Sequence, residues 1–193
     1  MARPGHKNIF TYILTNFLHM NSFWQKIADG IAAINEWVGR GVSWLTFLLV
    51  VLVCFDVVFR YLFNDTEAWI MELEWHMFAL IFLLGAGFAF KHDRHVRVDL
   101  FYSRFSEKDK ALLNMIGGLL FLIPWCTMII WASFQYANVS FQIREVSPDP
   151  GGLPARYIIK YAITVGGVLL LLQAISNTIE SYLTYRSAGK TEA

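Results

Sequence analysis

The sequence is short of charge. Asp, Glu, Lys and Arg make up only 16% of its 193 residues, and they are bunched rather than spread. A water-soluble domain carries more charge over its surface than this. The formal net charge is +1, so no strong basic balance points to a nucleic-acid partner. Cysteine is nearly absent. Cys54 and Cys126 both fall inside apolar runs, which argues against a disulfide framework and for buried thiols. No motif has zinc-ligand spacing. The N-terminus is not expected to be a cleavable leader. The stretch after Lys7, IFTYILTNFLHMNSF, is broken by Asn, Thr and His and has no small-x-small cleavage site, so it is expected to stay in the mature chain.

What the chain has in plenty is apolar sequence. Apolar residues make up 56% of it, and the mean hydropathy is +0.45. Four long apolar runs cover residues 42–63, 68–90, 111–136 and 156–180. Each has about 20 residues or more, enough to cross a ~30 Å hydrocarbon core at ~1.5 Å per residue. The fold class is therefore an all-α integral membrane protein with four transmembrane helices. Pro124 lies mid-run in the third span and is expected to kink it. Gly85 and Gly87, Gly117 and Gly118, and Gly166 and Gly167 are candidate faces for close helix contact.

Before the first span, Met20, Trp24, Ile27, Ile31, Ile34 and Val38 repeat at steps of three and four. That is one face of a helix. With Phe23 and Trp37 it reads as an amphipathic helix lying in the membrane interface. The alternative is a helix packed on a partner's cytoplasmic surface. The organisation that follows is a cytoplasmic or interfacial segment over 1–40, a four-helix membrane domain over 41–182 and a short tail over 183–193.

Orientation comes from the positive charge of the connections. Residues 91–110 hold Lys91, Arg94, Arg97, Arg104, Lys108 and Lys110, while the 64–67 turn holds no Lys or Arg and the 137–155 connection only Arg144. Both termini are thus expected in the cytoplasm, with Arg94, His95, Arg97 and Asp99 at its membrane surface near lipid headgroups. The 64–67 turn and the 137–155 loop, with its SPDPGGLP run, face outward.

Seven ionisable residues gather near the outward ends of the spans: Asp56, Arg60, Glu72, Glu74, His76, Arg156 and Lys160. Charges in a bilayer usually pair or line a cavity. Acids of spans one and two facing bases of spans one and four would form a clasp or a partner contact. An ion pathway is the sharper alternative, but no charged residue continues the track through the inner half of any span. His76 is the only histidine within a span, whereas a membrane cytochrome needs axial ligands on facing helices. No cofactor, metal site or catalytic set is expected. A stand-alone ion-coupled carrier or membrane haem protein stays open as the runner-up.

Taken in order, several of these residues resemble a known family. Arg60-Tyr61-x-Phe63-Asn64 closes the first span. Trp69 with Glu72 and Glu74 opens the second, Phe82-Leu-Leu-Gly85-Ala86 follows in mid-span, and His95-Val-Arg97-Val-Asp99 comes after it. The pattern is similar to the small membrane subunit of tripartite ATP-independent periplasmic (TRAP) transporters, over about residues 40–182. Family members often place two glutamates side by side after the tryptophan; here Leu73 separates them. The resemblance implies a non-enzymatic accessory subunit of a sodium-coupled importer of an organic-acid-type solute. Its partners would be a large membrane subunit, which it stabilises, and a periplasmic binding protein, which it helps to dock. Its place would be the bacterial inner membrane.

Overall fold

The computed structural model describes residues 7–63, 67–92, 102 and 105–191, with side chains described over 22–63, 67–92, 102 and 105–187. The described residues form α1 (Lys7–Phe63), α2 (Ala68–Lys91), α3 (Glu107–Gly117), a π-helical turn (Gly118–Leu122), α4 (Ile123–Gln142) and α5 (Tyr157–Thr191). Four stretches are long and apolar enough to cross a membrane: Ser22–Phe63, Ala68–Lys91, Glu107–Gln142 and Tyr157–Ser187.

The helix expected over 9–40 is present, but it is not a separate element. It runs on into the first span as one 57-residue helix, ~85 Å long at ~1.5 Å per residue. Its packing face is also not the large apolar stripe. Ala28, Asn35, Val42 and Asp56 are buried at multiples of seven residues, with Gly39 beside them. A seven-residue step is the seam of helices crossing at a shallow angle. Trp24, Ile34 and Trp37 are exposed. Small and polar residues meet other helices while large apolar ones turn outward, as membrane packing favours. The segment expected in the interface, or on a partner, therefore packs through its small-residue seam on α5 of its own chain. Ser176 Oγ donates to the Ala28 carbonyl at 3.0 Å.

α5 is the spine. Ile159, Ala162, Gly166, Leu169, Gln173 and Ser176 are buried at alternating steps of three and four, and α1, α2, α3 and α4 all pack on it. Its apolar window is 33% buried, against 6–11% for the other spans, so most of the outer three spans faces lipid or a partner.

Two glycines set the α2–α5 crossing. A Cβ on Gly166 would stand 2.6 Å from the Leu83 carbonyl oxygen, and one on Gly87 would stand 3.1 Å from the Leu169 carbonyl oxygen. Each helix thus takes the backbone of the other where only glycine fits. Gly118 lies against Thr178 and Gly167 against Ile130, while Gly117 faces open space.

The third span starts at Ser106, whose hydroxyl accepts from the Asp109 N–H at 3.2 Å and caps α3. Pro124 was expected to kink the span. The irregularity takes the form of the π turn just before it, where the Ile123 N–H bonds back to the Gly118 carbonyl. A single wide turn re-routes the hydrogen bonds around a residue that has no N–H to give. Beyond it, Cys126, Ser133, Ala137 and Ser140 of α4 are buried.

Candidate functional site at the hairpin end

The end of the bundle where α1 hands over to α2, and α4 to α5, is called the hairpin end below. The connection between α4 and α5 is folded back on itself there. The Ser147 N–H donates to the Leu153 carbonyl at 3.2 Å, Gly152 to Asp149 at 3.0 Å and Arg156 to Glu145 at 3.0 Å. Gly151, at φ 78°, makes the tight turn.

Glu72 fastens this loop to α2. It lies about one turn into the helix and is 5% exposed. Its carboxylate accepts from the Ser147 hydroxyl and from the Leu153 N–H at 2.6 Å. Glu145 fastens the other side of the loop. It pairs with Lys160 of α5 and accepts from the Ser140 hydroxyl of α4 at 2.6 Å. The Lys160 ammonium and the Ser140 hydroxyl hold the Glu145 carboxyl below the usual carboxylate range. Lys160 also stands 4.1 Å over the Tyr136 ring, and Arg156 lies 5.7 Å from the centre of the Trp75 ring. Both are cation–π contacts.

The remaining expected residues are placed as follows. Asp56, 3% exposed, is ion-paired with Arg60 one turn further along α1. His76 has Nδ1 2.5 Å from the Glu72 carbonyl oxygen and its ring 3.9 Å from that of Trp75. Glu74 lines a cleft of about 830 Å³ between α1, α2 and Pro148–Pro150, and its Oε1 is buried without a hydrogen-bond partner. The seven residues thus lie at one end of the bundle, but they do not close into one ring. Arg60 turns to its own helix, Glu72 to the loop, and Lys160 to Glu145.

Glu145 and Ser147 were missed by sequence reasoning, which read the loop as a rigid cap and not as a source of partners. A second layer was missed at the opposite end. Glu36 of α1 meets Lys91 at 2.8 Å, His92 at 2.9 Å and Arg40 at 3.2 Å. Beside it in sequence, Asn35 Nδ2 donates to Gln173 Oε1 at 3.1 Å and to the Leu169 carbonyl at 3.3 Å. Arg94, His95, Arg97 and Asp99 lie outside the described residues. Among the described residues, no group of three or more His, Cys, Asp or Glu side chains is arranged to hold a metal ion.

The architecture is that of a small multi-pass membrane protein in which, among the described residues, all but two of the buried side-chain nitrogen and oxygen atoms have a hydrogen-bond partner. The family model for tripartite ATP-independent periplasmic transporters, DctQ component, matches residues 49–184, and the chain belongs to that family. It is 29% identical over 137 residues to a putative TRAP transporter small permease protein of Haemophilus influenzae, covering 69% of this chain and 80% of that protein. It is 25% identical over 146 residues to the sialic acid TRAP transporter small permease protein SiaQ of Vibrio cholerae, covering 73% of this chain and 80% of that one. A third relative, the C4-dicarboxylate TRAP transporter small permease protein DctQ of the same organism, is 31% identical over 83 residues. That match spans 42% of this chain and 34% of the relative. The chain is a small TRAP permease subunit, multi-pass in the bacterial inner membrane.

Proposed function

We propose that this chain is the accessory subunit of a sodium-coupled importer of an organic-acid-type solute. In this role it steadies the large membrane subunit and offers part of the docking surface for the periplasmic binding protein. It performs no catalysis. The observation that carries this reading is the family match over 49–184, which takes in the end of the first span, all of the second and third, and nearly all of the fourth. The geometry supports it. Ion pairs and hydrogen bonds at the hairpin end join α2, α4, α5 and the loop to one another, which suits a scaffold rather than a conduction path.

On this reading the hairpin end faces the periplasm and both termini the cytoplasm. The basic connection between α2 and α3, with six Lys and Arg over residues 91–110, supports that orientation. The relatives' names mention sialic acid and C4-dicarboxylates, both organic acids, which supports the solute class.

The test is co-purification. The tagged chain, expressed with the large permease gene next to its own, is expected to bring the large subunit down at near-equal amounts. Deleting the chain is expected to abolish solute uptake driven by an imposed sodium gradient. Uptake that survives the deletion would sink the proposal.

A further inference from the structure

The hairpin-end cleft is lined by a carboxylate with an unpartnered oxygen, Glu74. Arg60 is taken by Asp56. Glu72, two residues from Glu74 along α2, is taken by Ser147 and Leu153. Glu74 lines the cleft, and its Oε1 is closed off without a donor. Among the described residues, Asn35 Oδ1 is the only other buried side-chain oxygen or nitrogen left in this way. The lining of the cleft holds the acids Glu72, Glu74 and Asp149 against one base, Arg156, so negative charge is in excess there.

The rest of the cleft indicates what could match it. Its walls include Leu49, Val53, Met71 and Phe78. Leu49 lies fourteen residues before the end of α1, and Phe78 ten residues into α2. At ~1.5 Å per residue those are depths of ~21 and ~15 Å, well inside a ~30 Å hydrocarbon core. A protein approaching from water meets the rim but not this wall, whereas a transmembrane helix lies alongside it. A carboxylate at such a wall is stabilised by a cation that arrives with its own apolar flanks.

Resting on the function proposed above, we infer that this cleft seats a transmembrane helix of the large membrane subunit. That helix brings a lysine or arginine, flanked by apolar residues, to Glu74. Long cationic side chains suit the site because their stems cover apolar wall while the head reaches the carboxylate. The contact also explains why Glu72 and Glu74 stand apart along α2. Glu72 serves the loop of its own chain, and Glu74 is left for the neighbour.

The experiment uses the full complex in its native membrane. A benzophenone amino acid replacing Phe78 is expected to give an adduct with the large subunit on illumination. An adduct with lipid alone, or with the binding protein, overturns the inference. In parallel, Glu74→Gln is expected to lower recovery of the large subunit at least about tenfold, because it leaves the incoming cation unpaired. Glu74→Asp is expected to retain most of it, and Glu67→Gln, an exposed change at the start of the same helix, all of it. Circular dichroism and gel filtration of the isolated Glu74→Gln chain, unchanged from wild type, separate lost contact from lost fold. Wild-type recovery with Glu74→Gln overturns the pairing while leaving the proposed function intact. If the wild-type chain brings down no large subunit at all, both fall together.

Discussion

At the scale of single residues, Glu72 and Glu145 turn a connecting loop into part of the bundle. Glu72 satisfies the Leu153 N–H, a part-buried donor just after the SPDPGG run. Glu72→Leu removes that acceptor without leaving a new polar group. The Leu153 amide is then expected to exchange with solvent at least about tenfold faster, the size expected when a hydrogen bond to a charged group is lost. Hydrogen exchange read by mass spectrometry over 147–156 checks it. Glu145 gives a pH dependence with a definite sign. Its folded carboxyl lies below the ordinary value of 4.5, chiefly through Lys160 and then Ser140. A lowered carboxyl stabilises the fold fully above the ordinary value, and the contribution fades as pH falls through the folded one. Wild type is therefore expected to melt above Glu145→Gln at pH 7, with the gap closing below about pH 4.5. A gap that stays constant from pH 7 to pH 4 would refute the assignment.

At the scale of elements, sequence and structure agree where physics acts over one helix and part where it acts between helices. Run length fixed the four spans, because a helix must cross the hydrocarbon on its own. Glycine positions foretold the α2–α5 crossing, because backbone contact leaves no room at Gly166 and Gly87. The packing face of α1 was not legible. The period-3.6 stripe that includes Trp24, Ile34 and Val38 is the louder signal, but Trp24 and Ile34 are exposed and Val38 is only half-buried. The quieter seam of Ala28, Asn35, Gly39 and Val42 holds the contact. The partner of Glu72 was not legible either, since it depends on a loop more than seventy residues away folding back. Asn35 tests the seam. It is 1% exposed and donates to both Gln173 and the Leu169 carbonyl. Asn35→Leu deletes both bonds and crowds Gly87, which already lies against the Asn35 side chain. A loss of about 1–2 kcal/mol is expected, the range for hydrogen bonds between membrane helices. It would be read as a lower melting temperature in detergent, with crosslinking between cysteines at positions 28 and 176 reduced.

At the scale of the whole molecule, four spans gathered on one spine leave most apolar side chains looking outward. Trp44, Trp125 and Trp131 are 71%, 59% and 67% exposed, so the bundle turns large apolar side chains outward rather than around a cavity. Such a body has a function only if it is inserted the right way round. On the proposed orientation the basic connection between α2 and α3 stays in the cytoplasm, since positive charge resists translocation. The orientation is tested in a chain carrying Cys54→Ser and Cys126→Ser, so that the introduced thiol is the one that reacts. In that background Arg97→Cys is expected to label only after the membrane is made permeable, and Asp149→Cys to label in intact cells with the same charged maleimide. Asp149 is the better outer probe because it is exposed and its side chain accepts no bond among those that close the loop. The reverse pattern would turn the hairpin end, with Glu74 and its cleft, toward the cytoplasm. The loop fastened by Glu72 and Glu145 would then stand on the wrong side of the membrane to meet a periplasmic binding protein.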